Sequence, residues 1–496
     1  MVALGARMLP GSERNRVLKD YNHYSFWLET SGDDLTPRPS LDESISVDIA
    51  ILGAGFTGLW TVYHLLVRDP SLKVAIVEAE IAGFGASGRN GGWCFAGFPV
   101  SPLTLIERYG FDAARAVSLA MYGSVDDVGR VCEMEGIDAH YAKGGELEIA
   151  RAAYDLSTLQ RMYDEFRSIG LDDHYELFDA NQTEERIRVA RAVGSFWNKE
   201  GAAIQPARLA RGLACAVERH GGTIYEGTRV TDFTTGTSPT LITERGTVTA
   251  RAVVLAGEAY LSALPKLQRQ IMPLTSHIIV TEPLPDDRWQ EIGWERREVV
   301  GGFGTHGGYL QRTRDGRIAF GPYRGQYPFN SKITDAIDRK EDIFEHARRS
   351  TLDWFPMLRG VRFTHAWGGV FGVPRDHMPV MTYDKRSGIA TGRGYTGEGV
   401  ATANLSGRVL ADLLTETDSD LTRLPMTSHT SSTWEPEPLR WMGHRMVNIS
   451  RRRSMQQVEA TGRYPSGSTI GERLWESEPS PLGWIKAALP QGKGRK

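Results

Sequence analysis

The sequence of 496 residues contains only three cysteines, Cys94, Cys132 and Cys215. They are too few and too widely spaced for a disulfide framework, and none lies in a Cys/His cluster with the spacing of a zinc site. So low a cysteine content is typical of a reducing compartment. We therefore expect a cytoplasmic protein that binds no metal.

Long apolar runs and a strong net charge are absent as well. No stretch reaches the roughly 20 apolar residues that cross a bilayer, and residues 1–20 lack the apolar core of a secretory signal. The formal net charge of −3 gives no reason to expect a polyanionic partner. We expect a protein that neither spans a membrane nor binds nucleic acid.

What the chain does contain is typical of a soluble enzyme or binding protein. The hydrophobic share is 41% and the charged share 24%, ordinary values for globular domains. A chain of this length predicts two or three domains.

A glycine-rich turn follows the first strongly apolar segment. Residues 47–52 are nearly all apolar, which is typical of a parallel strand buried on both faces. The turn Gly53-Ala54-Gly55-Phe56-Thr57-Gly58 comes next, and a helical apolar pattern follows it. In a dinucleotide site Gly53 permits the sharp turn, Gly55 admits the pyrophosphate and Gly58 lets helix and strand pack closely. The alternative is a glycine turn of an α/β domain that binds nothing.

A carboxylate ends the next predicted strand. Residues 74–77 are apolar and lead into Glu78, which can accept hydrogen bonds from the ribose hydroxyls of an adenosine. Its charge would repel a 2′-phosphate, which argues against NADP. The fold class predicted is therefore α/β, with a Rossmann-like domain.

A second glycine-rich segment lies at residues 83–93. Ser87, Arg89 and Asn90 in this loop offer groups for phosphate or ring heteroatoms, and glycines would expose backbone donors along a long planar ligand. A flexible linker is the alternative, although linkers seldom contain Trp and Arg.

Four segments together resemble a known family. Residues 48–58, 85–92, 252–257 and 394–400 resemble, in order and separation, the D-amino-acid-oxidase superfamily of FAD enzymes, in its glycine-oxidase and gamma-glutamylputrescine-oxidase branch. The resemblance extends over roughly residues 20–425. It implies FAD as the cofactor, in a glutathione-reductase-like fold with a second domain built on an antiparallel sheet.

The resemblance also implies roles for single residues. The loop from Ser87 to Trp93 would lie beside the flavin ring, Val230 near the adenine, and the turn from Gly394 to Val400 against the pyrimidine end of the flavin. The last turn leads into a predicted helix, whose free N–H groups would stabilise charge on reduced flavin. The residues predicted to bind FAD are Gly53, Gly55, Phe56, Thr57, Gly58, Glu78, Ala79, Ala86, Ser87, Arg89, Asn90, Gly91, Gly92, Trp93, Val230, Ala256, Gly257, Gly394, Tyr395, Thr396, Gly397, Glu398, Gly399 and Val400.

The same resemblance gives a domain plan. It consists of an N-terminal lead-in, a discontinuous FAD domain, a substrate domain that fills the gaps and a partly helical C-terminal extension. The lead-in comprises residues 1–45 and the C-terminal extension residues 426–496. The FAD domain comprises 46–105, 200–265 and 360–425, and the substrate domain comprises 106–199 and 266–359.

The implied activity is oxidation of a carbon–nitrogen bond. Hydride passes from a carbon that bears an amine to flavin N5, the imine hydrolyses, and oxygen reoxidises the flavin to give hydrogen peroxide. Two alternatives remain: a dehydrogenase that passes electrons to another carrier, and a catalytically idle FAD-bound interaction protein. Covalent attachment through a late cysteine is not available, because none follows Cys215; we predict non-covalent FAD.

Residues of the substrate pocket are predicted from position alone. The candidates are Trp93, His277, Tyr309, Arg312 and Trp367, with Arg312 considered for a substrate carboxylate and the aromatics for an amine. Core packing of the aromatics, a structural histidine and a surface arginine are the alternatives. Glu398 is a further candidate, for a substrate ammonium. The sequence leaves amine or amino acid, and the oligomeric state, open.

Overall fold

The computed structural model describes residues 19–463. The α-helices of this part of the chain are α1 (Phe26–Glu29), α2 (Phe56–Arg68), α3 (Pro102–Tyr109), α4 (Phe111–Glu135), α5 (Leu156–Ser168), α6 (Ala180–Arg186), α7 (Pro206–Arg219), α8 (Asp286–Ile292), α9 (Glu341–Trp354), α10 (Gly399–Leu414) and α11 (Leu439–Thr461). The strands are β1 (Ile45–Ser46), β2 (Ile49–Leu52), β3 (Val74–Val77), β4 (Trp93–Phe95), β5 (Glu146–Ala150), β6 (Tyr175–Asp179), β7 (Gly194–Asn198), β8 (Gly201–Ala203), β9 (Thr223–Tyr225), β10 (Val230–Phe233), β11 (Thr240–Thr243), β12 (Thr247–Thr249), β13 (Ala252–Leu255), β14 (Met272–Thr281), β15 (Val299–Gly302), β16 (Gly308–Arg312), β17 (Ile318–Pro322), β18 (Phe363–Val373), β19 (Val380–Asp384) and β20 (Ile389–Arg393).

A six-stranded sheet in the order β19-β20-β13-β2-β3-β9 is parallel except at its β19 edge. Its strands are apolar on both faces because both faces are covered. Ile51 and Val254 point toward the helices α2, α4, α7 and α10. Ala50 and Val253 point toward a four-stranded sheet of β1, β12, β11 and β10. This layering confirms the predicted α/β fold and its Rossmann-like unit.

Two glycines allow the helices of this layer to approach closely. A Cβ on Gly58 of α2 would lie 2.0 Å from the carbonyl oxygen of Gly53, and one on Gly407 of α10 would lie 2.4 Å from the Cβ of Trp60. Neither position has room for a side chain. Helix α2 therefore begins directly against the end of β2, and α10 crosses α2 at short range.

An eight-stranded sheet in the order β18-β14-β17-β16-β15-β5-β7-β6 is antiparallel apart from the β15–β5 pair. One face packs Leu147, Leu310 and Phe320 against α8 and α9. The other face carries polar and aromatic residues, as the period of two along each strand requires. Strands β16 and β17 form a hairpin whose turn contains Asp315 and Gly316, with Gly316 at φ +75°.

The domain boundaries stay a prediction, but the sheets allow one comparison. Strand β18 falls in the segment 360–425 that the sequence assigned to the FAD domain, yet it pairs with β14 in the eight-stranded sheet. The rest of that segment, β19, β20 and α10, belongs to the first layer.

The described part of the lead-in packs on the body of the protein. Phe26, Trp27 and Leu28 are buried. The Trp27 indole donates to the carbonyl oxygen of Asn90 at 2.8 Å, and the Ser25 hydroxyl donates to that of Gly88 at 3.0 Å. The lead-in thus supports the glycine-rich loop from behind.

Of the predicted C-terminal extension, the structure describes residues 426–463, which contain helix α11. Residues 464–496, and residues 1–18 of the lead-in, lie outside the described part. No helix within 19–463 is long and apolar enough to cross a membrane. Within the same residues, no group of three or more His, Cys, Asp or Glu side chains could hold a metal ion.

Candidate active site

A cavity of about 1650 Å³ lies between the carboxyl ends of the parallel strands and the polar face of the eight-stranded sheet. The residues after β2, β3, β13 and β20 all reach it, because parallel strands present their carboxyl ends at one edge of a sheet. Ligands of open α/β sheets bind at this edge.

The glycine turn after β2 has the geometry that a dinucleotide needs. Gly53 has φ +103°, in the region that favours glycine. Gly55 lines the cavity, where a Cβ would lie 3.1 Å from Ser87 Oγ. Helix α2 starts with no capping side chain from Gly55, although Ser87 Oγ accepts the N–H of Phe56 at 2.8 Å. The positive end of the helix therefore faces the cavity.

Glu78 lies at the end of β3 and lines the cavity. One carboxylate oxygen accepts the N–H of Ala54 at 2.9 Å, and the other accepts the N–H of Glu80 at 2.9 Å. Burial raises the pKa of Glu78 to about 7 despite these bonds. Each oxygen has a second lone pair, so the carboxylate can still accept the ribose hydroxyls that the sequence predicted.

The glycine-rich loop lines the cavity, but two of its polar side chains are engaged within the protein. Arg89 forms an ion pair with Asp338 at 2.6 Å and donates to the Tyr260 hydroxyl at 2.7 Å. The Asn90 amide donates to the Ala86 carbonyl oxygen at 3.0 Å, and its Oδ1 accepts the N–H of Gly92. These side chains hold the loop in shape along the cavity.

The turn before α10 is held by a residue that sequence reasoning missed. Glu258 accepts the backbone N–H groups of Gly394 at 2.9 Å and Tyr395 at 3.4 Å. The Tyr395 hydroxyl meets that of Thr57 at 2.8 Å, which ties this turn to the first helix. Glu258 directly follows the Ala256-Gly257 pair of the third family segment, and that position is the signal that could have found it.

The remaining predicted FAD residues divide into two groups. Three glycines support turns from outside the cavity lining: Gly58, Gly92 and Gly394. The others line the cavity: Ala79, Ala86, Gly91, Trp93, Val230, Ala256, Gly257, Thr396, Gly397, Glu398, Gly399 and Val400. A long cleft that brings two helix N-termini and a ribose-type carboxylate together fits FAD in size and donor groups.

Two of the predicted pocket residues meet at the end of the cavity that the eight-stranded sheet forms. The rings of Trp93 and Tyr309 lie edge to face, with centroids 6.2 Å apart. The Tyr309 hydroxyl contacts that of Ser276 at 2.6 Å, and the Trp93 indole donates to the Leu310 carbonyl oxygen at 2.9 Å. These contacts fix both aromatic side chains in the wall.

The structure does not bring the other three predicted pocket residues to the cavity. His277 lies on β14 beside Ser276, so the alternation of the strand turns it to the opposite face, against Phe344. The Arg312 guanidinium lies 4.0 Å from the centroid of the Trp289 ring and donates to the Trp294 carbonyl oxygen.

Trp367 is also away from the cavity. It is buried in the cluster under the lead-in, where its indole donates to the carbonyl oxygen of Arg89 at 2.9 Å. Its contribution is to the support of the loop, as core packing would have predicted.

One part of the wall was missed by sequence reasoning. Helix α11, in the predicted C-terminal extension, lines the cavity through His444, Asn448 and Arg452. Within the wall, burial first and the charge of Glu146 on β5 second raise the pKa of Glu398 to about 8.

Comparisons with known proteins agree with this geometry. The family model described as DAO, FAD dependent oxidoreductase, matches residues 48–413. Gamma-glutamylputrescine oxidoreductase from Escherichia coli strain K12 is 30% identical over 394 residues, which is 79% of this chain and 89% of that protein.

Solved structures share the fold. Glycine oxidase from Geobacillus kaustophilus superposes with a TM-score of 0.65 at 21% identity, over 78% of this chain and 99% of that one. L-alpha-glycerophosphate oxidase from Mycoplasma pneumoniae, solved with FAD bound, gives a TM-score of 0.61 at 15% identity, over 75% of this chain and 95% of that one.

Proposed function

Since the chain belongs to the DAO family of FAD dependent oxidoreductases, we propose that it oxidises the carbon–nitrogen bond of a small amine or amino acid. Membership confirms the predicted resemblance and the predicted cofactor, FAD. The observation that carries the substrate class is the wall of the cavity. It contains aromatic and carboxylate side chains, Trp93, Tyr309 and Glu398, next to the turn that would meet the flavin.

Bound FAD supplies the hydride acceptor that protein side chains lack. The chain's own residues position the substrate and accept the proton that its ammonium group must lose. Trp93 and Tyr309 offer aromatic faces to an ammonium group and to the carbon chain that bears it. Oxidation requires the neutral amine, and Glu398 Oε2 is a buried oxygen with no hydrogen-bond partner among residues 19–463. With a pKa near 8 it is mostly protonated at neutral pH, and the ionised form, which can take up the ammonium proton, becomes more populated as the pH rises toward 8.

The N-terminus of α10 has a separate task. Glu398 is its N-cap residue, and its side chain forms no hydrogen bond to the first N–H groups of the helix. A positive helix end at this position favours negative charge on the reduced cofactor. Electrons then pass to oxygen with formation of hydrogen peroxide in our proposal, and the protein works in the cytoplasm, which the three free cysteine thiols support.

An anaerobic bleaching screen tests this function. The holoenzyme is mixed under argon with primary amines, N-methyl amines and amino acids, and the flavin absorbance is followed. At least one class should bleach the flavin, and admission of air should then yield peroxide. Absence of bleaching by every class would overturn the proposal, whereas bleaching without peroxide would favour a dehydrogenase.

A further inference from the structure

A tyrosine and an arginine that line the cavity have polar groups without partners in the described protein. Tyr323 is 59% exposed although it lines the cavity, and its hydroxyl has no hydrogen-bond partner within residues 19–463. Arg324 is half-buried in the same wall, and its guanidinium forms no ion pair or hydrogen bond in that part of the chain. Both side chains are therefore available to a ligand.

The backbone turns so that both of these neighbours reach the cavity. Strand β17 ends at Pro322, and the N–H of Arg324 donates to the Pro322 carbonyl oxygen at 2.7 Å. This bond closes a three-residue turn at Tyr323, which ends the alternation of faces along the strand. Tyr323 and Arg324 can thus line one wall although they are consecutive in the chain.

Tyr323 ends a row of aromatic rings that begins at the glycine-rich loop. The Tyr309 ring packs on that loop, since a Cβ on Gly91 would lie 2.7 Å from Tyr309 Cε2. The ring centroids are 6.2 Å apart for Trp93 and Tyr309, and 5.9 Å apart for Tyr309 and Tyr323. This aromatic row leads along the wall from the loop predicted to lie beside the flavin to Arg324.

Helix α11 closes this end of the cavity and adds positive charge to it. The rings of His444 and Tyr327 have centroids 6.1 Å apart, and Glu459 accepts the N–H of Thr305 at 3.0 Å. Between these two contacts along the helix, Arg452 lines the cavity. The wall beyond the aromatic row is therefore basic.

The charges around Arg324 leave its guanidinium uncompensated. Burial first, and then Arg452 and Arg349, lower its pKa; Asp342 acts in the opposite direction but forms no ion pair with it. An arginine side chain keeps its charge in a protein, and a partly buried charge without a partner is costly. A carboxylate suits such a guanidinium, because two parallel N–H···O bonds can form between them.

We propose that Arg324, supported by Arg452, binds a carboxylate at the far end of the substrate from the oxidised amine. The carbon chain between the two groups lies along Tyr309 and Tyr323. An α-amino acid carries both groups on one carbon and is too short for this row, so the preferred substrate is an amine with a distant carboxylate. The inference rests on the proposed oxidation of amines and names the substrate class within it.

The test compares linear ω-amino carboxylates of increasing length with monoamines of the same chain length. The wild-type holoenzyme should favour the longer amino carboxylates over their matched monoamines by roughly tenfold or more in kcat/KM, the effect of one close charge pair. In Arg324→Gln this ratio should fall toward unity, and Arg324→Lys should keep part of it. Arg359→Gln, which removes an exposed arginine outside the cavity lining, should leave the ratio unchanged.

A binding measurement covers the case in which turnover fails. A linear carboxylate with a quaternary ammonium group at its other end cannot become a neutral amine, and its binding is followed through the absorbance of the oxidised flavin. It should bind the wild type and lose roughly tenfold in affinity in Arg324→Gln. If amino carboxylates and monoamines are oxidised at equal rates, or the probe binds both proteins equally, the carboxylate site is overturned. If amines fail to bleach the flavin but the probe binds through Arg324, only the proposed oxidation fails.

Discussion

Glu398 shows how one buried side chain makes stability depend on pH. Its pKa is raised to about 8 by burial first and by Glu146 second. A carboxylate with a raised pKa in the folded state binds its proton more tightly there than in the unfolded chain. Below the ordinary pKa of 4.5 the group is protonated in both the folded and the unfolded chain, and the folded state keeps its full stability. As the pH rises from there toward 8, the unfolded chain loses this proton first, so the free energy of unfolding falls.

We expect the apoprotein to lose free energy of unfolding between about pH 5 and pH 8, and Glu398→Gln to flatten that dependence. Urea unfolding at several pH values measures it. Glu176→Gln, exposed in the wild type, should follow the wild-type curve. Parallel curves for Glu398→Gln and the wild type would contradict the assignment.

A matched pair of glycines tests the close packing of the first turn. In Gly58→Ala the new Cβ would lie 2.0 Å from the Gly53 carbonyl oxygen, so the backbone must move. We expect a loss of roughly 1–3 kcal/mol in the free energy of unfolding and weaker FAD binding. Gly123→Ala, in α4, meets only Arg408 at 3.6 Å and should gain up to about 1 kcal/mol. Equal behaviour of the two variants would refute the argument.

Single residues with local signals could be predicted from sequence. Gly53 and Glu78 lie next to a buried strand in the chain, so their positions follow from a β-α-β unit. Glu258 could not be predicted, because its role depends on Gly394, which is far away in sequence. Local patterns do not show which distant strand lies alongside.

At the scale of an element, the positions of strands in the chain could be predicted, but the side of each strand that faces the cavity could not. His277 was predicted to line the pocket, but β14 alternates so that Ser276 faces the cavity instead. A shift by one residue reverses the face of every side chain in a strand. The same error removed Arg312 from the pocket, since Gln311 and Tyr309 share the other face of β16.

The turn before α10 yields a prediction about cofactor affinity. Glu258→Ala would leave the N–H groups of Gly394 and Tyr395 without their acceptor, and the turn should shift. We expect FAD to bind roughly tenfold more weakly, since such a loss costs about 1–3 kcal/mol. Glu258→Gln retains a carbonyl acceptor and should lose less. Titration of the apoprotein with FAD, followed by tryptophan fluorescence, measures both; an unchanged Kd in Glu258→Ala would contradict the role of this residue.

At the scale of the whole molecule, the site is assembled from parts that are distant in the chain. The lead-in supports the glycine-rich loop, and α11 closes the cavity from beyond the family match at residues 48–413. Family resemblance gave the cofactor and the order of the motifs. It could not give the contribution of α11, because that helix lies outside the segments that carry the resemblance.

The attachment of FAD is a property of the whole molecule that the arrangement of thiols predicts. Cys94 and Cys132 are buried in the helical core, where burial raises the pKa of both, and none of the three thiols lines the cavity. Burial therefore disfavours the thiolate forms of Cys94 and Cys132, and none of the three thiols lies where it could attack a flavin in the cavity. Acid precipitation of the holoenzyme should leave all flavin in the supernatant and a colourless pellet. His377 and His444 do line the cavity, so a yellow pellet would contradict non-covalent binding, and peptide mapping would then test these two histidines.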